Sequence, residues 1–192
     1  MHDIQEKLLT INPFSRSGKK LVTQRGDPSC LKAVVLHWVA NPGTSAMANR
    51  NYFESLKNQT MTVSARYAST HFIVGLEGEV IQCLPLNEIG YHVGAHTYTP
   101  KAINQLGNNP NSRTLGIELC HPDWSGKLSQ KTWDSAVSLT ADLLNFFGLD
   151  PFEDIWTHHE ITGKACPKYF VDNPEELRRF KNDVSQTVRN QE

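Results

Sequence analysis

The sequence predicts an α/β or α+β domain with a central sheet flanked by helices. Two short apolar, β-branched runs, 33–39 and 114–120, are too brief for helices and read as buried strands. A hairpin pattern spans 71–84, with Gly75 and Gly78 bracketing its turn. Two long segments with helical apolar spacing, 129–148 and 173–190, supply the helices. Strands alternating with helices give that fold class. A chain of 192 residues suits one domain, and 39% AVILMFWYC with 20% charged residues is ordinary for a globular protein.

In chain order, the first thirty residues are polar and irregular, and read as an arm lying over the domain. Ser15-Arg16-Ser17-Gly18-Lys19-Lys20 and Gly26-Asp27-Pro28 are loop chemistry. Ala33–Val39 is a central strand, ended by Asn41-Pro42-Gly43-Thr44. A helix follows, capped by Ser45 or Thr44, with Ala46, Asn49, Tyr52, Phe53 and Leu56 at three- and four-residue steps. After the hairpin, Asn104–Asn111 reads as a polar loop. Thr114–Cys120 is a strand closed by Pro122-Asp123. Ser129 caps a long helix striped by Trp133, Ala136, Val137, Leu139, Thr140, Leu143, Leu144 and Phe147, and Gly148 stops it. Asp172 or Asn173 caps the last helix, with Pro174 at its first position and Leu177, Phe180 and Val184 on its apolar face. There is no repeat, low-complexity tract or linker.

Lys+Arg 19 against Asp+Glu 20 leaves a net charge of -1, which argues against nucleic acid or an anionic membrane surface as partner. No stretch approaches the roughly 18 apolar residues of a membrane span. The opening Met1-His2-Asp3-Ile4-Gln5-Glu6-Lys7 lacks the basic and apolar regions of a signal peptide. The expectation is a chain made in a cytoplasm, or a piece trimmed from a longer protein. Cys30, Cys83, Cys120 and Cys166 are widely spaced without a CxxC pair, so they read as thiols rather than a disulfide framework.

Three features carry chemistry. His37 sits inside an apolar strand. The run Thr157-His158-His159-Glu160-Ile161-Thr162-Gly163-Lys164-Ala165-Cys166-Pro167 gathers two histidines, a lysine and a cysteine in one short polar loop. Zinc takes imidazole nitrogen and thiolate sulfur, and a catalytic zinc uses three protein ligands with one position open. His37, one of His158 and His159, and Cys166 would make such a set; the pattern is not HExxH. Glu118 lies between Ile117 and Leu119 on the other face of its strand. It points either to solvent or to a metal-bound water as general base.

These segments together resemble the zinc-dependent N-acetylmuramoyl-L-alanine amidases of type 2. That family is shared by phage lysozyme-amidases, bacterial cell-wall amidases and peptidoglycan-recognition proteins. The resemblance rests on Val34-Val35-Leu36-His37-Trp38, on Ser69–Val74 with Glu77-Gly78, and on Tyr91-His92-Val93-Gly94. Leu115-Gly116-Ile117-Glu118 and His158 to Pro167 complete it, all in the family's order over roughly residues 30–180. It implies a mixed central sheet with helices on both sides and zinc in a groove on one face, as in peptidoglycan-recognition proteins. It implies an amidase domain over 30–192 with 1–29 as an arm of the same domain. His37, His158 and Cys166 resemble the ligands of one zinc per chain, His158 because it stands eight residues before Cys166. Glu118 resembles the catalytic acid/base and Lys164 the stabiliser of the oxyanion. Some members carry a tyrosine where this chain has Thr70, which moves the base role to Glu118. The resemblance places His71, His92 and Thr70 against substrate, and the loop bearing Tyr91, His96 and Tyr98 beside the groove.

The implied activity is hydrolysis of the amide between the lactyl group of N-acetylmuramic acid and L-alanine in peptidoglycan, by a monomer lysing or remodelling the cell wall. A phage or prophage endolysin, released without a signal peptide, is one such role. Two other classes are a non-catalytic peptidoglycan-binding module on the same scaffold and a cysteine peptidase built on Cys166. Retention of both histidines, Cys166 and Glu118 argues against the first. Pro167 directly after Cys166 fits a ligand better than a nucleophile.

Overall fold

Residues 4–21 and 31–191 are described by a computed structural model; the Gly26-Asp27-Pro28 turn and Cys30 lie outside the described residues. Six strands, β1 (Ile4–Glu6), β2 (Ala33–Trp38), β3 (Phe72–Val74), β4 (Val80–Gln82), β5 (Thr114–Leu119) and β6 (Ile155–Thr157), form one sheet in the order β1-β4-β3-β5-β2-β6. Neighbours are parallel except β3 and β4, the predicted hairpin, so the sheet is mixed. The helices are α1 (Ala46–Ser55), α2 (Pro100–Leu106), α3 (Gln130–Phe147), α4 (His158–Thr162), α5 (Lys168–Asp172) and α6 (Pro174–Gln191). No described helix is long and apolar enough to cross a membrane.

Side chains alternate across a strand, so each central strand serves two faces. On one face Val34, Leu36, Phe72, Leu115, Ile117 and Ile155 pack under α3 and α6 in a single large apolar cluster. Ser129 caps α3 by accepting from the Thr132 N–H, and Gly148 ends it in the left-handed conformation. Both ends match the sequence reading. Phe180 of α6 is fully buried against Trp133 of α3 and Phe170 of α5.

The opposite face is split. Ile73 and Ile81 join α1 residues Ala46 and Phe53 with Leu9 and Phe14 from the N-terminal segment. Ala33, Val35 and Trp156 join Ala102 and Leu106 of α2 and Ile161 of α4. Between these two clusters lies the groove. The N-terminal segment differs from the irregular arm expected: it adds β1 to the sheet edge, parallel to β4, and buries Leu9 and Phe14. The expected loop 104–111 is in part the end of α2, which Thr99 caps and Pro100 opens. The expected loop 157–167 begins as α4.

Candidate metal centre and its groove

His37 on β2 and Glu118 on β5 are register partners on adjacent strands, so both side chains leave the same face of the sheet. His158 is the first residue of α4, directly after β6, which pairs with β2 on its other side. That helix start is set by a capping box: the Thr157 side chain accepts from the Glu160 N–H, and the Glu160 carboxylate accepts from the Thr157 N–H. Gly163, in the left-handed conformation at φ 81°, ends the short helix and turns the chain back. The His159 N–H then donates to the Cys166 carbonyl at 2.8 Å, bringing the Cys166 thiol under His37.

Three ligand atoms result, one from each of the buried residues His37, His158 and Cys166, all within 4.8 Å of one another. His37 Nδ1 lies 3.2 Å from His158 Nδ1 and 3.8 Å from Cys166 Sγ. A tetrahedral zinc with bonds of about 2.0–2.3 Å sets nitrogen–nitrogen and nitrogen–sulfur donor pairs about 3.3–3.6 Å apart. The spacing and the donor chemistry therefore fit zinc. Of the adjacent histidines, His158 faces the cluster, whereas His159 is exposed and its Nδ1 lies against the Lys164 carbonyl.

The hydrogen-bond partners assign the ring protons. The Thr114 hydroxyl donates to the Pro110 carbonyl at 2.9 Å. It can then only accept from His92 Nε2, which lies 3.2 Å away and 3.4 Å from the Thr114 carbonyl. With Nε2 as its donor, neutral His92 offers a lone pair at Nδ1, 3.0 Å from His37 Nε2. His37 therefore carries its proton on Nε2 and turns the bare Nδ1 toward His158 and Cys166. Burial, reinforced by the neighbouring rings, holds His37 and His92 well below the usual imidazole range. Burial and Lys164 push His158 down to about 4. All three are neutral at pH 7, the form that binds metal. Gly116 makes room for this arrangement: a Cβ there would stand 2.7 Å from the His92 ring.

Glu118 is half-buried among these groups, and its enclosed Oε2 lacks a hydrogen-bond partner among the described residues. Burial pushes its carboxyl up to about 8 against the pull of Lys164. Lys164 lines the same groove, and its charge acts on His37, His158, Glu118 and Cys166. Burial raises the Cys166 thiol to about 12, partly offset by the Trp38 N–H that it accepts and by Lys164. A buried, protonated thiol is the opposite of an activated nucleophile and needs a cation to become a thiolate.

Two of the residues expected against substrate sit elsewhere. His71 is fully buried; its Nδ1 accepts from the Gly116 N–H at 3.1 Å and its Nε2 donates to the Glu88 carbonyl at 2.9 Å. Both nitrogens are thus used inside the protein. Thr70 is also fully buried and bonds the Phe72 carbonyl. Neither lines the groove. His92 does line it, against His37, while His96 is exposed. The sequence reading did not single out Tyr52 and Arg66 as groove residues, although both line it.

A family model described as N-acetylmuramoyl-L-alanine amidase matches residues 26–169. The chain belongs to the N-acetylmuramoyl-L-alanine amidase family. A probable N-acetylmuramoyl-L-alanine amidase of Bacillus licheniformis is 33% identical over 96% of this chain and 48% of its own length. The amidase BlyA of Bacillus subtilis (strain 168) is 34% identical over 92% of this chain and 45% of its own. The chain thus spans about half the length of the curated amidases it matches. The solved catalytic domain of XlyA shares the fold, with a TM-score of 0.68 at 24% identity, covering 95% of this chain and 99% of that one.

Proposed function

We propose that this amidase-family chain hydrolyses the amide between the lactyl group of N-acetylmuramic acid and L-alanine in bacterial peptidoglycan, with one zinc held by His37, His158 and Cys166. Cell-wall lysis or remodelling is the role this chemistry serves, with a phage-type endolysin as its simplest setting. The observation that carries the reading is the convergence of three buried donors beside the unpartnered carboxylate of Glu118. A module that only bound peptidoglycan would have no use for a carboxylate oxygen left unpartnered beside three converging metal donors, whereas a general base acts from such a place.

When bound, the zinc supplies Lewis acidity, polarising the carbonyl and acidifying a water. The protein's own groups do the rest. Glu118 takes the proton of the attacking water on its free oxygen and returns it to the leaving amine of L-alanine. The Lys164 ammonium faces the negative charge that develops on the carbonyl oxygen. The Cys166 sulfur, held by the Trp38 N–H, contributes negative charge to the ligand set.

The test is metal content and product analysis together. Protein as purified is expected to hold about one zinc and to release peptides with a free L-alanine amine from purified peptidoglycan; chelation should abolish release. His158→Ala should lose zinc and His159→Ala should keep it. Undiminished release by metal-free protein, or release of products without a new L-alanine amine, refutes the reading.

A further inference from the structure

We propose that Arg66 and Tyr52 form a subsite for a free carboxylate on the peptide that leaves the amidase centre; this rests on the amidase reading above. Arg66 and Tyr52 line the groove that holds His37, His158, Cys166 and Glu118. The Arg66 guanidinium lies 5.8 Å above the Tyr52 ring. Its backbone is clamped by one side chain: the Arg66 N–H donates to Gln59 Oε1, and the Gln59 amide donates to the Arg66 carbonyl, both at 2.9 Å. An exposed loop residue is thus held in place at its main chain while its head group makes no hydrogen bond or ion pair among the described residues. The other ammonium or guanidinium on the groove is that of Lys164, and one carboxyl lines it, that of the half-buried Glu118, whose Oε2 is enclosed. Two exposed cationic side chains, Arg66 and Lys164, thus line the groove with that one carboxyl, although the whole chain has a net charge of -1. A planar guanidinium with free donors, backed by an aromatic face, is suited to a carboxylate.

Peptidoglycan peptides offer that chemistry from two sources: the α-carboxylate of a γ-linked second residue and a side-chain carboxylate on the third. Two matched pairs of soluble muropeptides separate them, one with the second-residue carboxylate free or amidated, the other with or without the third-residue carboxylate. Zinc-loaded parent protein should prefer the acid in one pair by about 10–100-fold in kcat/KM, the worth of a hydrogen bond to a charged group. Arg66→Gln should erase that preference mainly through KM, and Arg66→Lys should restore part of it. Gln59→Ala, which leaves the arginine but frees its backbone, should weaken the preference. Equal turnover within each pair by the parent, or an equal loss on acid and amide in Arg66→Gln, overturns the subsite and leaves the amidase reading standing. No turnover of any of them by zinc-loaded protein sinks the amidase reading itself.

A different observation carries a second proposal. We infer that His92 is a positioning residue that fixes the tautomer of His37 for metal binding. The chain of bonds runs from the Pro110 carbonyl through the Thr114 hydroxyl and the His92 ring to His37 Nε2. Every proton in it has one direction, and its end point is a bare Nδ1 facing the other donors. Such outer partners typically contribute 10–100-fold in metal affinity. Chelator competition should give His92→Ala a zinc Kd weaker by that factor. His92→Gln, whose side-chain oxygen can accept the His37 proton, should recover part of the loss. Thr114→Val should show a smaller loss. Parental zinc affinity in folded His92→Ala overturns the role, as does parental affinity in Thr114→Val should the alanine variant not fold.

Discussion

Behind the sheet, Leu36, Ile117 and Ile155 meet α3 and α6 in one continuous apolar cluster. In front, the same strands present Val35, His37 and Glu118, with Gly116 leaving space, and the apolar packing divides into two clusters with imidazoles between them. The two faces are one residue apart along each strand. The period of two lets β2 and β5 supply core packing and reactive groups at once. The cost of the front face is concrete: it buries three neutral imidazoles, a thiol and one carboxyl oxygen without a partner among the described residues. Stability should therefore reside mainly behind the sheet, and activity in front of it.

The largest separation of the two is expected at Glu118. Glu118→Gln keeps the shape but removes the proton acceptor, so kcat for peptidoglycan cleavage should fall about 10²–10⁴-fold while zinc content is retained. Stability should move the other way. The folded carboxyl is raised from 4.5 to about 8, so its stabilising contribution is full below about pH 4.5 and lost as pH rises through about 8. Metal-free Glu118→Gln should then be more stable than the parent above pH 8, by on the order of 1–3 kcal/mol, and the difference should vanish near pH 4. Denaturant melts at the two pH values check this. Equal stability at both would mean that the carboxylate is already compensated within the protein, and near-parental kcat would mean that another group moves the proton.

Phe180 is the corresponding change behind the sheet. It is fully buried between Trp133 and Phe170, in the cluster on the face of the sheet opposite His37 and Glu118. Phe180→Ala should cost about 3–5 kcal/mol of unfolding free energy by leaving a cavity. Zinc content and kcat per folded molecule should stay within a few-fold of the parent. A large loss of kcat in the folded fraction would show that the two faces are mechanically coupled through the sheet.

What the amino-acid sequence revealed divides along the same line. The helix side was legible because α3 is 18 residues long: several turns of apolar stripe, a serine cap and a terminal glycine all agree. Strands β2 and β5 were legible from their apolar runs, but their pairing was not, since contacts between residues 37 and 118 are non-local. On the groove side the elements are short. Helices α2 and α4 have 7 and 5 residues, too few for periodicity to show. Their caps were nonetheless written in Thr99-Pro100 and in Thr157 with Glu160, and the capping box alone would have turned the expected loop into a helix. His71 and His92 look alike in sequence, each beside an aromatic residue, Phe72 or Tyr91. Only the fold separates them, by giving His71 two internal partners and placing His92 over Gly116.

The smallest expected effect concerns how the front face is held in place. Glu88 is buried, and its carboxylate accepts from Arg16 at 2.8 and 3.0 Å and pairs with Lys20 at 3.2 Å. Its carbonyl receives the His71 proton, and His71 in turn accepts from the Gly116 N–H beneath the groove. A chain of polar bonds thus ties the N-terminal segment to β5. The Arg16 guanidinium, aided by Lys20, holds the Glu88 carboxyl below the usual carboxylate range. A depressed folded value means that the stabilisation is full above the unfolded carboxylate range and is lost as pH falls through the lower, folded one. Glu88→Gln should therefore cost about 1–3 kcal/mol at pH 7, less than a fully enclosed ion pair because Lys20 is largely exposed. In acid, below both values, the variant and the parent should converge. Phe180→Ala should show no such convergence, since nothing it removes titrates. Parallel melting curves at pH 7 and at pH 3 for the parent and both variants decide it. If the Glu88→Gln deficit persists undiminished at pH 3, the carboxylate charge contributes nothing and the neutral hydrogen bonds alone hold the N-terminal segment to the sheet.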